Sequence, residues 1–578
     1  LNFQALSTEN RIHSNSTLYY LSVPNLYSFL RQMPDFEKYN RLIVATFFLS
    51  YLLLGLWIVP DYGMSWDEAT QRAHGMRAFD FVNEKLHLGF EKFLPNSPLM
   101  KHPARNYGLW FTTACLGLEH LFGLEKDFHG RYLMRHVLVF LLFWWSVFFF
   151  YKLIQLRWKD WKMGLLGAAM LILSPRIFAH SFYNPKDIVF LATYLIATFT
   201  LIRYLQTKTV KFALLHALAC AFAVDTRIAG ILLLPLTFGF LFIELAQTHF
   251  SKKMLKELGR SLPVFIVVSV ALIVLLSPAY WVNPFRQIEE SFQVMSHYAW
   301  PGSVLYRGEF IKATALPWHY IPSWIMLTTP LVYLFLLALG GTMIAVKFFR
   351  SLRQLKIYRS EGERIDLIFL ALFLLPVLAV IVKKSTLYDG WRQLFFIYPA
   401  LLGVALTGFG NTWNYLEKRR SKSSLIIEKG VLIGILAFGT GRTAMKMIAQ
   451  HPHQNVFFNC LAGKNLSERF DQDYWGLSYK QAIEELARRF PKGCVSLKAA
   501  NYPGEENWRF VKKKYYSDID VKYGPEPAEF FMTNYRNPKE LQRLKNAVPP
   551  FVEEVFSIET AGNKIMGVYR NPDYFKGQ

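Results

Sequence analysis

Two acids stand side by side in DYGMSWDEATQRAHG, Asp61 to Gly75, just beyond an apolar run that ends at Val59. Neighbouring positions on a regular helix do not share a face, so Asp67 and Glu68 are not two equivalent acid–base groups. Two readings fit this pair. In one, a single carboxylate takes a proton as a general base while the other caps a helix or holds a basic residue. In the other, both serve the first turn of the helix that follows, where acids are favoured. Trp66 suits an interface anchor or a platform for a sugar ring. Farther on, LMKHPARNYG, Leu99 to Gly108, carries Lys101, His102 and Arg105, and Arg131 opens the next apolar run. Lys and Arg make charge-assisted hydrogen bonds to phosphate oxygens, and snorkelling is the competing explanation for each of them.

Other charged and aromatic groups lie at the ends of apolar blocks. SPRIFAHSFYNPKD holds Arg176, His180, Tyr183, Asn184, Pro185, Lys186 and Asp187. Pro185 and Asn184 read partly as turn and cap chemistry. A charge inside an apolar block is costly unless it is paired or faces a cavity, so Arg176 is a functional-site residue by default. Asp225 and Arg227 in VDTRIAG fit a structural salt bridge as well as a substrate contact. The segment 283–320 contains HYAWPG and YRGEF, with His297, Tyr298, Trp300, Tyr306, Arg307 and Glu309; KKSTLYDGWRQLFF adds Lys383, Lys384, Tyr388, Asp389, Arg392 and Gln393. No HExxH, C-x-x-C or phosphate-loop pattern occurs. Any chemistry is therefore assembled between separate segments.

The elements that position these residues are set by hydropathy. Of 578 residues 52% are hydrophobic and 19% charged, against roughly 25% charged in a soluble domain. After 42–59, apolar blocks at about 132–153, 163–183, 187–205, 209–224, 228–247, 261–282, 321–346, 366–382, 391–411 and 427–447 make eleven expected transmembrane helices. The first lies too late and runs too long for a cleaved signal peptide. The stretch 105–124 carries Arg105, Glu119 and His120 and reads as an amphipathic interfacial helix. The loops 154–162, 203–211, 248–260, 347–364 and 412–429 hold 21 Lys or Arg, and the alternate connections hold 8. The basic set belongs on the cytoplasmic side. The N-terminal segment 1–40 is then cytoplasmic, and 61–131, 283–320 and 451–578 lie outside a plasma (inner) membrane. The net charge of +23 suits loops against anionic lipid or a phosphorylated lipid partner; without a basic stripe on a soluble domain it does not point to nucleic acid. Cys115, Cys220, Cys460 and Cys494 are too scattered for a disulfide scaffold or a thiol metal cluster.

From His451 onward charges of both signs, Gly and Pro are frequent, and a small water-facing α/β domain is expected over 451–578. Tyr479 to Phe490 has helical spacing, Cys494 to Leu497 reads as a strand, and Val555–Ile558 with Ile565–Tyr569 as a terminal hairpin.

The acidic pair at Asp67 and Glu68, the basic residues before Pro103, Arg131 at the head of a span and the NPKD turn resemble those of GT-C type membrane glycosyltransferases. The bacterial members related to protein O-mannosyltransferases and to the lipid A aminoarabinose transferase are the most similar. The resemblance covers 41–450 as the catalytic membrane domain and implies a hexosyl or pentosyl transfer, with inversion, from a polyprenyl-phosphate sugar to an extracytoplasmic protein, lipid or glycan. It implies Asp67 as the catalytic carboxylate with Glu68 in support. Lys101, His102, Arg131, Arg307 and Arg392 would hold the donor phosphate, with Trp66, Arg176, Tyr183, Asn184, Lys186, Asp187, His297, Tyr388 and Asp389 around the substrates. It implies no particular cofactor, and a divalent metal near Asp67 is compatible with the two acids, though no first shell of ligands stands out. A multi-span transporter of a lipid-linked or anionic substrate is the alternative; it predicts repeated halves, whereas this chain is asymmetric. A noncatalytic assembly subunit would leave the acids and bases without a shared purpose.

Overall fold

Where water is excluded, every backbone N–H and C=O needs a partner within its own segment, so apolar blocks of this length fold as helices. The computed structural model describes residues 39–296, 298, 300–418, 422–491, 495–511, 519–522 and 528–572. The chain divides into two units, Leu1–Leu49 and Ser50–Gln578. The helices of its first half are α1 (Asn40–Ile58), α2 (Glu68–Leu86), α3 (Trp110–Leu121), α4 (Phe128–Trp158), α5 (Trp161–Ile172), α6 (Pro175–His180), α7 (Asp187–Thr207), α8 (Val210–Thr226), α9 (Leu233–Gln247) and α10 (Lys252–Leu276). They are followed by α11 (Pro284–Ser296), α12 (Tyr320–Thr328), α13 (Leu331–Leu352), α14 (Glu361–Val382), α15 (Tyr398–Glu417) and α16 (Lys422–Ala449).

Among the described residues nine helices are long and apolar enough to cross a membrane: α1, α4, α7, α9, α10, α13, α14, α15 and α16. Two of the eleven expected spans differ. The 163–183 block is broken into α5 and α6, because Pro175 cannot continue the hydrogen-bond ladder and starts a new helix instead. The 209–224 block is α8, whose 17 residues make about 25 Å, the short end of the spanning range. A third, 321–346, is divided at Pro330, which holds Thr329 extended between α12 and α13. The 105–124 stretch contains α3, 12 residues and about 18 Å long, too short to span.

Two helices are central: 94% of the apolar stretch that includes α15 and 83% of that in α7 are buried, against 11% in α16. Lipid offers no hydrophobic drive between helices, so small residues that let backbones approach determine the packing. A Cβ on Gly340 of α13 would stand 1.9 Å from the Val404 carbonyl oxygen of α15, and one on Gly408 of α15 2.5 Å from that of Leu336.

The polar segment after α1 is tied down by buried charge. Glu119 on α3 accepts from Arg72 of α2 at 2.8 and 2.9 Å and from Arg135 of α4 at 2.5 Å. Asp225, at the end of α8, accepts from the Leu109 and Trp110 amides at 3.1 and 2.9 Å and so caps α3 across 115 residues of chain.

The C-terminal region is a five-stranded mixed sheet of β3 (Val495–Ala499), β4 (Ile519–Lys522), β5 (Phe530–Thr533), β6 (Glu553–Thr560) and β7 (Asn563–Arg570), in the order β4-β3-β5-β7-β6. A separate hairpin, β1 (Ser303–Tyr306) with β2 (Glu309–Lys312), lies in the 283–320 segment. β3 runs parallel to β4 and β5, and β6 and β7 are the expected terminal hairpin. The expected helix is α17 (Ser478–Arg489), followed by α18 (Gly504–Val511) and α19 (Pro538–Lys545). Cys494, expected to open β3, lies outside the described residues. The sheet's core includes Met64 and Tyr132 from the membrane part, and Asn507 of α18 accepts from the Met64 amide at 2.9 Å and donates to its carbonyl at 3.0 Å. The residues leading to Asp67 are thus held by the C-terminal region.

Gly340→Leu should force α13 off α15 and lower the thermal midpoint of the purified protein in detergent by several degrees, an overpacking cost of about 1–3 kcal/mol. Glu119→Ala leaves two buried guanidinium groups unpaired and should cost about 3–5 kcal/mol, read in the same unfolding assay.

Candidate functional site

The loop before α2 separates the roles of the two acids. Glu68 is buried; its Oε2 accepts from the Ser65 amide at 2.6 Å and its Oε1 lies 2.7 Å from His136 Nε2 of α4. It therefore holds the turn and a basic residue. Asp67 occupies the cap position of α2 but makes no capping bond with its side chain. That leaves its carboxylate facing inward, with Oδ2 3.5 Å from Arg392 Nη1 and 24% of the side chain exposed.

Arg392 gathers acids from three segments. Its Nη1 donates to Asp187 Oδ2 at 3.0 Å, and its Nε and Nη2 reach Asp389 Oδ2 at 3.3 and 3.1 Å. Asp389 can turn back on Arg392 because it and Gly390 adopt left-handed backbone angles, φ +56° and +69°, between Tyr388 and Trp391. Asp187 is also paired with Arg227, and Asp389 with Arg536 at 2.8 Å. The Asn184 side chain accepts from the Lys186 and Asp187 amides at 3.2 and 2.7 Å and donates to Asp187 Oδ2 at 3.0 Å, so it holds the turn into α7, whose cap position is Lys186, while orienting the acid. Lys186 lays its ammonium over the Tyr107 ring, 3.7 Å from the centroid.

Aromatic rings close the cluster. Arg392 stacks on Tyr388 and Trp475 at 5.0 and 4.6 Å, and Arg536 on Trp66 at 4.6 Å. Trp475 donates its indole N–H to Asp389 Oδ2 at 3.2 Å, and its carbonyl accepts the Trp66 amide at 3.1 Å. Tyr183 is buried between Tyr62, His180 and Trp475, and its carbonyl accepts the Ser65 hydroxyl. Arg176 donates to the Phe457 carbonyl at 3.0 Å and stacks on Phe458 and Trp324, beside Gly390.

The electrostatics favour a proton acceptor at Asp67. Burial raises its carboxyl above the usual range; Arg392 pulls it down, and Asp389 and Asp187 push it up again. Burial and then Arg227 depress the Lys186 ammonium, a cost that an arriving anion would offset. Burial pushes His74 of α2 down to about 3, with Lys186, His102 and Arg77 adding to the effect, which marks this side as electropositive.

Not every expected residue joins the cluster. The Lys101 side chain is exposed, and His102 accepts the Ala104 amide on Nδ1 and lies 5.7 Å from the His74 ring. Arg131 is occupied by the Glu125 carbonyl and the Phe128 ring, and Arg307 is exposed and donates to Ser323. Asp225 and Arg227 do not pair with each other; one caps α3 and the other binds Asp187. His297 lies outside the described residues. Sequence reasoning missed Trp475, Arg536, Tyr107 and His136 as neighbours of the acids. Trp475 beside Gly476 and Arg536 in NYRNP are aromatic and basic residues at turns, a signal shared with many surface loops. The surroundings of Asp67 do not fit a metal ion: the three carboxylates converge on a guanidinium, and the described residues contain no group of three or more His, Cys, Asp or Glu side chains that could hold one.

No family model and no curated protein matches the chain. Among solved structures it is similar to ArnT from Cupriavidus metallidurans bound to undecaprenyl phosphate, at 11% identity and TM-score 0.40 over 91% of this chain and 97% of that one. The same protein in its apo state matches at 11% identity and TM-score 0.46, over 91% and 98%. The arabinofuranosyltransferase AftD from mycobacteria matches at 11% identity and TM-score 0.38, over 91% of this chain and 40% of that one. At such identities and scores these likenesses assign no chemistry to the residues around Asp67, whose roles rest on their own geometry.

Proposed function

We propose that this chain is a membrane glycosyltransferase of GT-C type that moves a sugar from a polyprenyl-phosphate donor to an extracytoplasmic acceptor hydroxyl, with inversion. The observation that carries the reading is the half-open Asp67 carboxylate beside buried Arg392, at one end of a helix bundle whose spans suit a lipid carrier. In this reading residues 41–450 form the catalytic domain and 451–578 an outer domain that closes over it, with the N-terminus cytoplasmic.

Charge counting supports a phosphate lipid. Arg392, Arg227 and Arg536 match the carboxylates of Asp67, Asp187 and Asp389, and Lys186, whose ammonium burial and Arg227 depress, supplies a fourth cation when an anion arrives. A polyprenyl-phosphate sugar is a phosphodiester with one negative charge, which balances the excess. Asp67 takes the proton of the acceptor hydroxyl while that oxygen bonds to the anomeric carbon. The bond from that carbon to the phosphate oxygen breaks, and its electron pair leaves with the phosphate. Protonated Asp67 no longer offsets a cation, so the site becomes more positive as the lipid phosphate becomes more negative. Lys186 and Arg392 hold the phosphate, with His102 on the same electropositive side. Trp66 offers a ring face to the sugar, while the Tyr388 ring is stacked on Trp300 and carries Arg392 in place. Attack from the side opposite the phosphate inverts the anomeric centre.

Purified protein in lipid, given a panel of polyprenyl-phosphate sugars and extracted envelope acceptors with products identified by mass, should lose roughly 10²–10⁴-fold of its transfer rate in Asp67→Asn, with its melting midpoint kept. Equal activity of that variant would remove Asp67 from the chemistry. The wild-type kcat/KM should fall as pH drops through the raised Asp67 pKa, giving an acid limb above the roughly 3.9 of a free Asp. Lys186→Met removes a cation that favours the carboxylate, so that limb should move to higher pH; a downward move would contradict the assignment.

A further inference from the structure

A cavity of about 180 Å³ adjoins the Arg392 cluster through Arg536, on the side of the C-terminal sheet. It is small against the roughly 300–1,000 Å³ of drug-sized ligand pockets, and fits one ring-sized group. Its walls come from Leu305 at the β1–β2 hairpin, the 467–474 segment, the turn after β5, the end of α19 and Lys564 on β7. The hairpin is seamed to the 467–474 segment by the Leu305 amide donating to Asp471 Oδ2 at 3.2 Å and the Asp471 amide donating to the Leu305 carbonyl at 3.3 Å. The cavity is therefore a built feature between two parts of the chain.

Its lining combines three kinds of group. Tyr474 and Tyr535 provide ring surface, and each hydroxyl is oriented by a neighbour, Tyr474 by His180 at 3.2 Å and Tyr535 by Tyr569 at 2.8 Å. Arg536, Lys545 and Lys564 supply positive charge, and Glu468 and Asp471 are the acids of the same lining. Lys564 is paired with Glu554 at 2.5 Å on the rim, and Arg536 is shared, binding Asp389 and Trp66 on its other side. Burial pushes Asp471 up to about 7, against the pull of Arg536 and with Asp389 adding, which weakens its charge near neutrality and leaves the three cations facing Glu468.

We propose that this cavity binds an anionic sugar residue, a uronic acid or a sugar phosphate, of the glycan that accepts the transferred sugar. The term acceptor rests on the transferase reading above; the binding of an anionic sugar does not. Arg536 is then a positioning residue that joins the two compartments through one guanidinium. The anion binds Lys545 and Lys564, the ring packs on the tyrosines, and the adjoining residue of the glycan points toward Asp67.

The full-length protein in lipid nanodiscs is titrated with methyl glucuronide, glucose 1-phosphate and neutral methyl glucoside, and binding is read by saturation-transfer NMR, which needs neither donor nor turnover. At least one anionic sugar should bind about tenfold more tightly than the neutral one, and the stronger of the two tells carboxylate from phosphate. Lys545→Ala with Lys564→Ala should weaken that binding by about tenfold, and Lys545→Arg should keep it. These lysines lie away from the Arg392 cluster, so anion binding that persists unchanged in the double variant belongs to that cluster and overturns the proposal. So does equal binding of the neutral glycoside, or no binding by either anion. Because Asp67 takes no part in the measurement, a failed Asp67→Asn prediction leaves this test intact.

Discussion

A guanidinium buried at the end of a helix bundle is tolerable only if carboxylates surround it, because removing an ion from water costs several kcal/mol that pairing must offset. Arg392 meets that demand with Asp389 from its own turn, Asp187 from the start of α7 and Asp67 from the loop after α1. Asp389 in turn draws Arg536 and Trp475 out of the C-terminal region. One cation therefore makes four distant parts of the chain converge. Of its three acids only Asp67 keeps appreciable exposure, 24% of the side chain against 1% for Asp187 and 5% for Asp389. Two carboxylates are enclosed, and the third stays partly open.

The scaffold makes this convergence affordable by tying the polar segments before they reach the cluster. Glu119 holds α2, α3 and α4 together, Asp225 caps α3, and Asn507 clamps the backbone at Met64. The loop that carries Asp67 is thus fixed at both ends, and Asp67 needs no bond of its own to stay in place. The C-terminal sheet shares its core with Met64 and Tyr132, so it is packed into the membrane part rather than tethered beside it. Arg536 and Trp475 can serve as walls of the site for that reason.

Individual residues show how far local pattern reaches. Asn184 before Pro185 reads as a cap; the cap position is Lys186 instead, and Asn184 accepts the Lys186 and Asp187 amides while its own amide orients Asp187 toward Arg392. The acidic pair reads either as one proton acceptor beside a structural acid or as two first-turn acids, and the structure buries Glu68 against His136 while leaving Asp67 partly open. Lys101, Arg131 and Arg307 look alike in sequence to Arg392, yet two are exposed and one is occupied by a backbone carbonyl and a ring. Nothing local to those residues distinguishes them, since a basic residue near a span end serves snorkelling, capping or binding equally well.

What the sequence determined by itself is whatever depends on neighbours a few residues away: helices from apolar blocks, α17 from its apolar stripe, the β6–β7 hairpin from alternation around a turn. The 163–183 block already shows the limit, because its length alone suggested one span where Pro175 makes two pieces. Tertiary structure decided which carboxylate stays open, which cations surround it and that the C-terminal region supplies Arg536. Those contacts join residues 205 positions apart at Arg392 with Asp187 and 147 apart at Arg536 with Asp389. Charge pairing acts through space in a medium that water has left, and its partners are chosen by which segments the packing of the helices brings within a few ångströms.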